Sequence, residues 1–188
     1  MNVFMPHLYA QDSVQALDNK RLCRQILECM QIINIIEKYR FTGNKKLGYL
    51  NHPVTKFYMN NYNFLICYAY VACKEFEYRF NKTHAYTHEI TVRFELIPYA
   101  LKVFGPASIF YHEGKDIRTY DPFVSTKLFK LKLCQKWITD ICKNRIPKWS
   151  ERNVPSFFEH YLKDNYKKFE AIENSYLKQY ISKYKENQ

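Results

Sequence analysis

The sequence predicts an all-α fold, and three features of the 188-residue chain support that prediction. The chain contains only 4 glycines and 7 prolines, which argues against a turn-rich β fold. Hydrophobic residues make up 47% of the chain, enough to form a sizeable core. Apolar residues also recur at helical spacing over long segments. We therefore expect a compact helical domain with two long central helices, irregular connections and a C-terminal amphipathic helix.

The two long helices are predicted in the first half of the chain. The first covers residues 13–39 and is expected to bend near residue 18. The second covers residues 54–80, and Pro53 suits its first turn because proline lacks the N–H that a helix start leaves unpaired. Its wide apolar face places it at the centre of the core. Residues 90–104 alternate only in part, so helix and strand both stay open there.

Two further helices are predicted in the second half, over residues 123–143 and 157–184. The apolar side of the first is expected to contain Leu128, Leu131, Ile138 and Cys142. The second has an aromatic row formed by Tyr161, Phe169, Ile172, Tyr176, Tyr180 and Tyr184. Core packing is the ordinary role of such a row. The alternative is a docking face for a protein partner, because lysines flank the aromatic side chains.

Charge and aromatic content indicate a polyanion as binding partner. The chain has a formal net charge of +11 and a sequence pI near 9.3, and aromatic residues make up 18% of it. This combination is typical of proteins that bind nucleic acid. The alternative is a basic protein whose charge serves no specific partner, because charge by itself defines no function.

Cysteine usage and hydropathy bear on the location of the protein. The 6 cysteines form no C-x-x-C pair, which gives no support to a zinc ribbon or a thioredoxin-like motif. Most of them occupy apolar helix positions, so we expect reduced thiols and an intracellular protein. The N-terminus does not resemble a signal peptide. No run of about 18 apolar residues suggests a membrane span.

One face of the first long helix collects polar side chains. Arg21, Arg24, Gln25 and Glu28 follow the spacing i, i+3, i+4 and i+7, which places them together on a helix. Arginine binds phosphate through a planar fork of donors. A single carboxylate among such donors is either a structural ion-pair partner, as is common on helices, or a group that transfers protons. Both interpretations stay open on this pattern alone.

Other polar residues give weaker indications. His84 and His88 stand four residues apart, but no third ligand accompanies them, so a metal site is not predicted. His52 and Lys56 flank a helix start where backbone N–H groups bind anions, and they are candidate DNA contacts. Trp149 lies in a proline-rich basic loop, where it would either stack on a displaced base or close the core.

Two stretches resemble a known family. "ALDNKRLCRQILECMQII" and "NHPVTKFYMNNYNFLICYAYVACKEFEYRFN" are similar to the two long helices of the pyrimidine-dimer DNA glycosylase/AP lyase family, the phage endonuclease V type with its bacterial relatives. The resemblance covers roughly residues 1–90, which would form a glycosylase-like helical core. Residues 91–188 would then be an additional helical region packed on it, within one compact domain.

The resemblance implies a specific chemistry on damaged duplex DNA. In this family an N-terminal α-amine attacks C1′ of the damaged nucleotide, and the Schiff base permits strand cleavage by β-elimination. The reaction uses no metal and no nucleotide cofactor. Glu28 falls at the position of the family's glutamate, which makes it the catalytic candidate. The DNA-binding candidates are Lys20, Arg21, Arg24, Gln25 and Gln31, with His52, Lys56 and Trp149 at greater distance along the chain.

The N-terminus departs from the family pattern. The family exposes a small residue after removal of the initiator methionine, whereas Asn2 is generally too large for efficient removal. The amine would then belong to Met1, which still supplies a primary amine. Alternatively, Lys20 replaces it, or the chain has lost lyase activity. In that last case it would be a non-catalytic nucleic-acid-binding or assembly protein with the family fold.

Overall fold

The computed structural model describes residues 3–102 and 122–187, with side chains described for 3–102 and 126–184. The helices are α1 (Ala10–Ala16), α2 (Asn19–Thr42), α3 (Pro53–Asn60), α4 (Tyr62–Phe80), α5 (Thr87–Glu95), α6 (Pro122–Cys142), α7 (Ser156–Asp164), α8 (Tyr166–Glu170) and α9 (Ser175–Ile181). Short 3₁₀ segments cover Tyr99–Leu101 and Ser182–Asn187. These ranges contain no strand, which confirms the predicted all-α class. Within the ambiguous segment 90–104, residues 90–95 are α-helical and residues 99–101 form a 3₁₀ turn.

The first predicted helix is divided into α1 and α2 at Leu17 and Asp18. Leu17 adopts an extended conformation (ψ 139°), and Asp18 is the N-cap residue of α2. The amide of Asn19 donates to the carbonyl of Lys148 at 2.7 Å, a partner far away in the sequence. This break therefore depends on tertiary hydrogen bonding. At its other end α2 terminates at Gly43, whose left-handed backbone (φ 64°) suits a residue without a side chain.

The second predicted helix is also divided, at Asn61, into α3 and α4. Helix α4 lies at the centre of the fold and packs extensively against α1, α2 and α5. Its buried residues include Phe64, Leu65, Tyr68 and Ala72, and the buried side of its neighbour α2 is rich in isoleucine. The wide apolar face predicted for this segment therefore occupies the core as expected.

The predicted apolar side of α6 is only partly correct. Leu128 and Leu131 are 50% and 42% exposed, although the sequence suggested that they face the core. The buried side chains are instead Leu133, Cys134, Trp137 and Ile141, with Ile138 and Cys142 packed at the edge of the core. Helix α6 is therefore rotated about its axis relative to the prediction, and this rotation decides which polar residues face α2.

The C-terminal segment is helical but is divided into α7, α8 and α9 instead of one continuous helix. Seven of its large apolar residues are buried in the common core: Phe158, Leu162, Tyr166, Phe169, Leu177, Ile181 and Tyr184. Ile172 and Tyr176 of the predicted row are instead 38% and 45% exposed. Tyr161 and Tyr180 pack against the same core. Much of the predicted aromatic row thus serves folding, and binding of a protein partner by this segment stays a prediction.

Thiol chemistry and metal ligation have little structural basis in the described ranges. All six cysteines are free thiols, and burial raises the pKa of Cys73 and Cys134 to about 12. No group of three or more His, Cys, Asp or Glu side chains among the described residues is placed to hold a metal ion. The described helices also include none that is both long and apolar enough to cross a membrane.

Candidate active site: a basic cleft between α2 and α6

A surface cleft of about 650 Å³ lies between the start of α2 and the second half of α6. Its α2 wall carries Lys20, Arg21, Arg24 and Glu28, which are four of the residues that the sequence singled out. The N-terminal segment contributes one aromatic ring, that of Phe4. The lining residues are Phe4, Lys20, Arg21, Arg24, Glu28, Lys132, Gln135, Lys136, Thr139 and Asp140. Five of these side chains are cationic and two are anionic, so the cleft suits an anionic ligand.

Glu28 lies on the α2 wall, with its side chain 13% exposed. Arg24 Nε donates a hydrogen bond to Glu28 Oε1 at 3.0 Å, while 71% of the arginine side chain is exposed. The pair has the i, i+4 spacing that brings side chains together on a helix. The carboxylate is therefore held at the edge of the cleft beside a cation that faces solvent.

Arg21 joins the two walls of the cleft. Its guanidinium donates to Asp18 Oδ1 and to Asp140 Oδ2, each at 2.9 Å, and only 12% of its side chain is exposed. Trp137 Nε1 also donates to Asp18 Oδ1 at 2.9 Å, and Lys20 Nζ lies 3.7 Å from Asp140 Oδ1. Arg21 thus holds α6 against the start of α2, and a DNA contact by its remaining donors stays a prediction.

Gln25 fixes the N-terminal segment beside the cleft. Its side chain is buried, and its Oε1 accepts a hydrogen bond from the amide of Phe4 at 2.9 Å. The carbonyl of Phe4 accepts a second bond from Tyr68 Oη at 2.7 Å. Both polar groups of the Phe4 backbone are therefore hydrogen-bonded in the core. Gln25, which binds one of them, stands about one turn of α2 before Glu28. Gln25 was predicted to face DNA, and the structure assigns it this internal contact.

Substituting Tyr68 by phenylalanine tests how firmly this segment is held. The change removes one hydroxyl and leaves the buried carbonyl of Phe4 without that donor. We expect the free energy of unfolding to fall by about 1–3 kcal/mol, the usual cost of an unsatisfied buried polar group. Urea unfolding measures the loss. Tyr78→Phe on the exposed side of the same helix is the control, and an equal effect of both substitutions would contradict the anchoring role of Tyr68.

Sequence reasoning missed the α6 wall of the cleft. Lys132, Gln135, Lys136 and Thr139 follow the spacing i, i+3, i+4 and i+7, the same spacing that marked the polar face of α2. This signal was present in the sequence. It was overlooked because the apolar side of the helix was assigned to Leu128 and Leu131, which are exposed in the structure.

The other predicted site residues lie outside the set that lines the cleft. Gln31 is exposed further along α2. His52 is the N-cap residue of α3, where its Nδ1 accepts from the amide of Val54 at 3.2 Å, and Lys56 is exposed on the same helix. DNA contacts by these residues stay predictions, and Met1 lies outside the described residues.

Trp149 is part of the core, the simpler of the two roles considered for it. The side chain is 5% exposed, and its Nε1 donates to the carbonyl of Ala16 at 3.0 Å. Its ring lies 5.2 Å from that of Trp137 in an edge-to-face arrangement. Stacking on a displaced base would require this tryptophan to leave its buried position.

One wall of the cleft lies in a part of the chain that matches a known protein family. This part contains the cleft residues of α2 and of the N-terminal segment. Residues 1–88 match the pyrimidine dimer DNA glycosylase family. This match confirms the resemblance seen in the sequence and has nearly the same extent. A search of curated proteins and a search of solved structures gave no match. The match ends before α6, so one wall of the cleft lies inside the glycosylase-like region and the other lies outside it.

Proposed function

We propose that the protein is a DNA repair enzyme, a glycosylase with AP lyase activity on damaged or modified pyrimidines in duplex DNA. One observation carries the proposal. Glu28 and the anchored residue Phe4 line the same cationic cleft, within the region that matches a pyrimidine dimer DNA glycosylase family. A lining residue of the N-terminal segment beside Glu28 supports amine catalysis, which requires the N-terminal amine and a carboxylate to share one site.

The proposed reaction begins with a primary amine at the N-terminal end of the chain. Its lone pair forms a bond to C1′ of the damaged nucleotide as the bond between C1′ and the base breaks, and the base leaves with that electron pair. The nitrogen then loses one proton. The bond between C1′ and O4′ breaks as the second nitrogen proton is transferred to O4′, which opens the sugar ring and gives a neutral imine. Removal of a C2′ proton then expels the 3′ phosphate, which cleaves the strand.

Glu28 has two roles in this scheme. Its carboxylate accepts a proton from the attacking amine, which must be unprotonated to react. The same negative charge stabilises the positive charge that develops on the sugar as the base departs. Arg24 holds the carboxylate in place through its 3.0 Å hydrogen bond and presents its exposed side to the DNA backbone.

Selection of damaged sites in this proposal comes from the DNA and not from the cations of the cleft. Cationic side chains contact phosphates without distinguishing sequence, so they position the duplex and do not select a base. Moving a nucleotide out of the stack costs a few kcal/mol and less at a lesion, because pairing and stacking are already weakened there. Lesions are therefore favoured substrates even without specific contacts to the damaged base.

An incision assay tests the proposal. A labelled duplex with one cyclobutane pyrimidine dimer, a duplex with one abasic site and an undamaged duplex are incubated with excess protein in EDTA. We expect cleavage of both damaged duplexes, with the unsaturated 3′ end that β-elimination leaves. Binding without cleavage of either damaged duplex would instead support the non-catalytic alternative, in which the protein keeps the family fold and only binds DNA.

A further inference from the structure

The cations on the α2 wall of the cleft are largely neutralised by neighbouring carboxylates. Arg21 lies between Asp18 and Asp140, and Arg24 is paired with Glu28. Lys20 is within 3.7 Å of Asp140. A phosphate that approached this wall alone would meet carboxylates beside every cation. Helix α2 therefore binds phosphate less strongly than its number of cations suggests, although the exposed side of Arg24 can still contact the DNA backbone.

The cations on the α6 wall differ from those on α2 because they are not paired with carboxylates in the described part of the chain. Lys132 and Lys136 are exposed, and neither forms an ion pair with a carboxylate in the described part of the chain. They stand one turn apart, about 6 Å along the helix axis, with Gln135 and Thr139 on the same face. Two ammonium groups with an amide between them form a row of donors of the type that contacts phosphate and sugar oxygens. The Thr139 hydroxyl is not part of this row of donors, because it donates to the carbonyl of Gln135 at 2.8 Å.

This row lies next to the proposed catalytic groups. Lys136 Nζ is 5.9 Å from the centre of the Phe4 ring, and Phe4 and Phe129 of α6 are in edge-to-face contact at 6.1 Å. Both lysines line the same cleft as Glu28. A DNA strand bound along α6 would therefore have its sugars between this helix and the carboxylate.

We propose that Lys132 and Lys136 of α6 form the phosphate-binding wall of the cleft and hold the backbone of the damaged strand opposite Glu28. This inference rests on the proposed function and extends it, because α6 lies beyond the region that matches the glycosylase family. It gives the second half of the chain a direct part in substrate binding. Gln135 supplies a neutral hydrogen-bond donor in the same row.

The salt dependence of DNA binding tests this assignment. The double variant Lys132→Gln/Lys136→Gln is compared with wild type and with Lys167→Gln/Lys178→Gln, which removes the same charge from exposed positions outside the cleft. Fluorescence anisotropy with a dimer-containing duplex gives the association constant from 50 to 300 mM NaCl. Circular dichroism verifies that all three proteins are folded, as expected for substitutions of exposed lysines.

Loss of two phosphate contacts should lower the slope of log K against log salt by about 1.8 in magnitude. It should weaken binding at 0.1 M salt by roughly 10- to 100-fold, while the control changes the slope by less than about 0.5. Equal slopes for the two double variants would overturn the role of α6 while leaving the proposed function intact, provided that wild type still incises. Absence of DNA binding and incision by the wild-type protein would overturn both.

Discussion

Replacing Glu28 by glutamine is expected to lower the rate of strand cleavage at a damaged pyrimidine by about 10²- to 10⁴-fold, the usual contribution of a positioned acid–base group. Glutamine keeps the size of the side chain and can still accept the hydrogen bond from Arg24. It cannot accept a proton from the amine or carry a negative charge beside the sugar. Single-turnover incision of a duplex that contains one cyclobutane pyrimidine dimer measures this loss directly.

DNA binding by the same variant should be equal to that of wild type or tighter. The substitution removes a carboxylate from a cleft that binds an anion, so repulsion of phosphate decreases. Glu37→Gln is the matched control, because Glu37 lies on the same helix but pairs with Arg93 outside the cleft. Wild-type cleavage by the Glu28 variant, or an equal loss in the control, would contradict a catalytic role for Glu28.

Replacing Glu75 by glutamine is expected to destabilise the fold by about 3–5 kcal/mol, the cost of leaving a buried charge without its partner. Glu75 Oε1 accepts from Arg79 Nε at 2.7 Å, and Oε2 accepts from Arg152 Nη2 at 2.8 Å. Arg79 is buried, and it also donates to the carbonyls of Gln15 and Leu17 where α1 ends. The ion pair therefore connects α4 to the break before α2.

Urea unfolding at neutral pH measures this loss, and Glu77→Gln on the same helix is the control. Glu77 pairs with Lys74, whose side chain is 51% exposed, and exposed pairs contribute less than about 1 kcal/mol. We expect a large decrease in the urea midpoint for the Glu75 variant and a small one for the Glu77 variant. Equal midpoints would show that the buried network contributes no more than a surface pair.

The stability of the wild-type protein should also depend on pH through Glu75. Burial raises the pKa of this carboxyl, but hydrogen bonds from Arg152 and Arg79 outweigh burial, so its pKa lies below the ordinary value. The pKa of a glutamate carboxyl in the unfolded chain is about 4.3. When the pKa in the folded state is lower, the carboxyl stabilises the protein fully at pH values above that of the unfolded chain. This contribution is lost as the pH falls through the pKa of the folded state. The Glu75→Gln variant should therefore lose less stability than wild type between pH 5 and pH 3.

Local periodicity was sufficient to predict α2 and the polar face that contains Glu28. The spacing of Arg21, Arg24 and Glu28 depends only on helix geometry, and the helix exists because its other face is apolar. The same pattern placed Gln25 with the DNA contacts. It could not indicate that Gln25 binds the amide of Phe4, since that contact depends on where the N-terminal segment runs.

The missed features depend on contacts between residues that are distant in the sequence. The sequence predicted a bend near residue 18 within one helix. The structure has a complete break there, where Arg79 and the carbonyl of Lys148 bind the backbone. Helix α6 has two apolar rows, and only packing against the rest of the fold determines that Trp137 is buried and Leu131 is exposed. The sequence shows the helical spacing of the polar residues on α2 and on α6. It does not show that these two faces lie opposite each other and form a cleft.

The most direct measurement is borohydride trapping of the covalent intermediate. Wild-type protein and the Glu28→Gln variant are incubated with an abasic duplex and sodium borohydride, and the adduct is digested and mapped by mass spectrometry. Amine catalysis in this cleft predicts a wild-type adduct on the α-amine of the N-terminal peptide and little or no adduct with the variant. No wild-type adduct, or an adduct on an internal lysine such as Lys20, would contradict it.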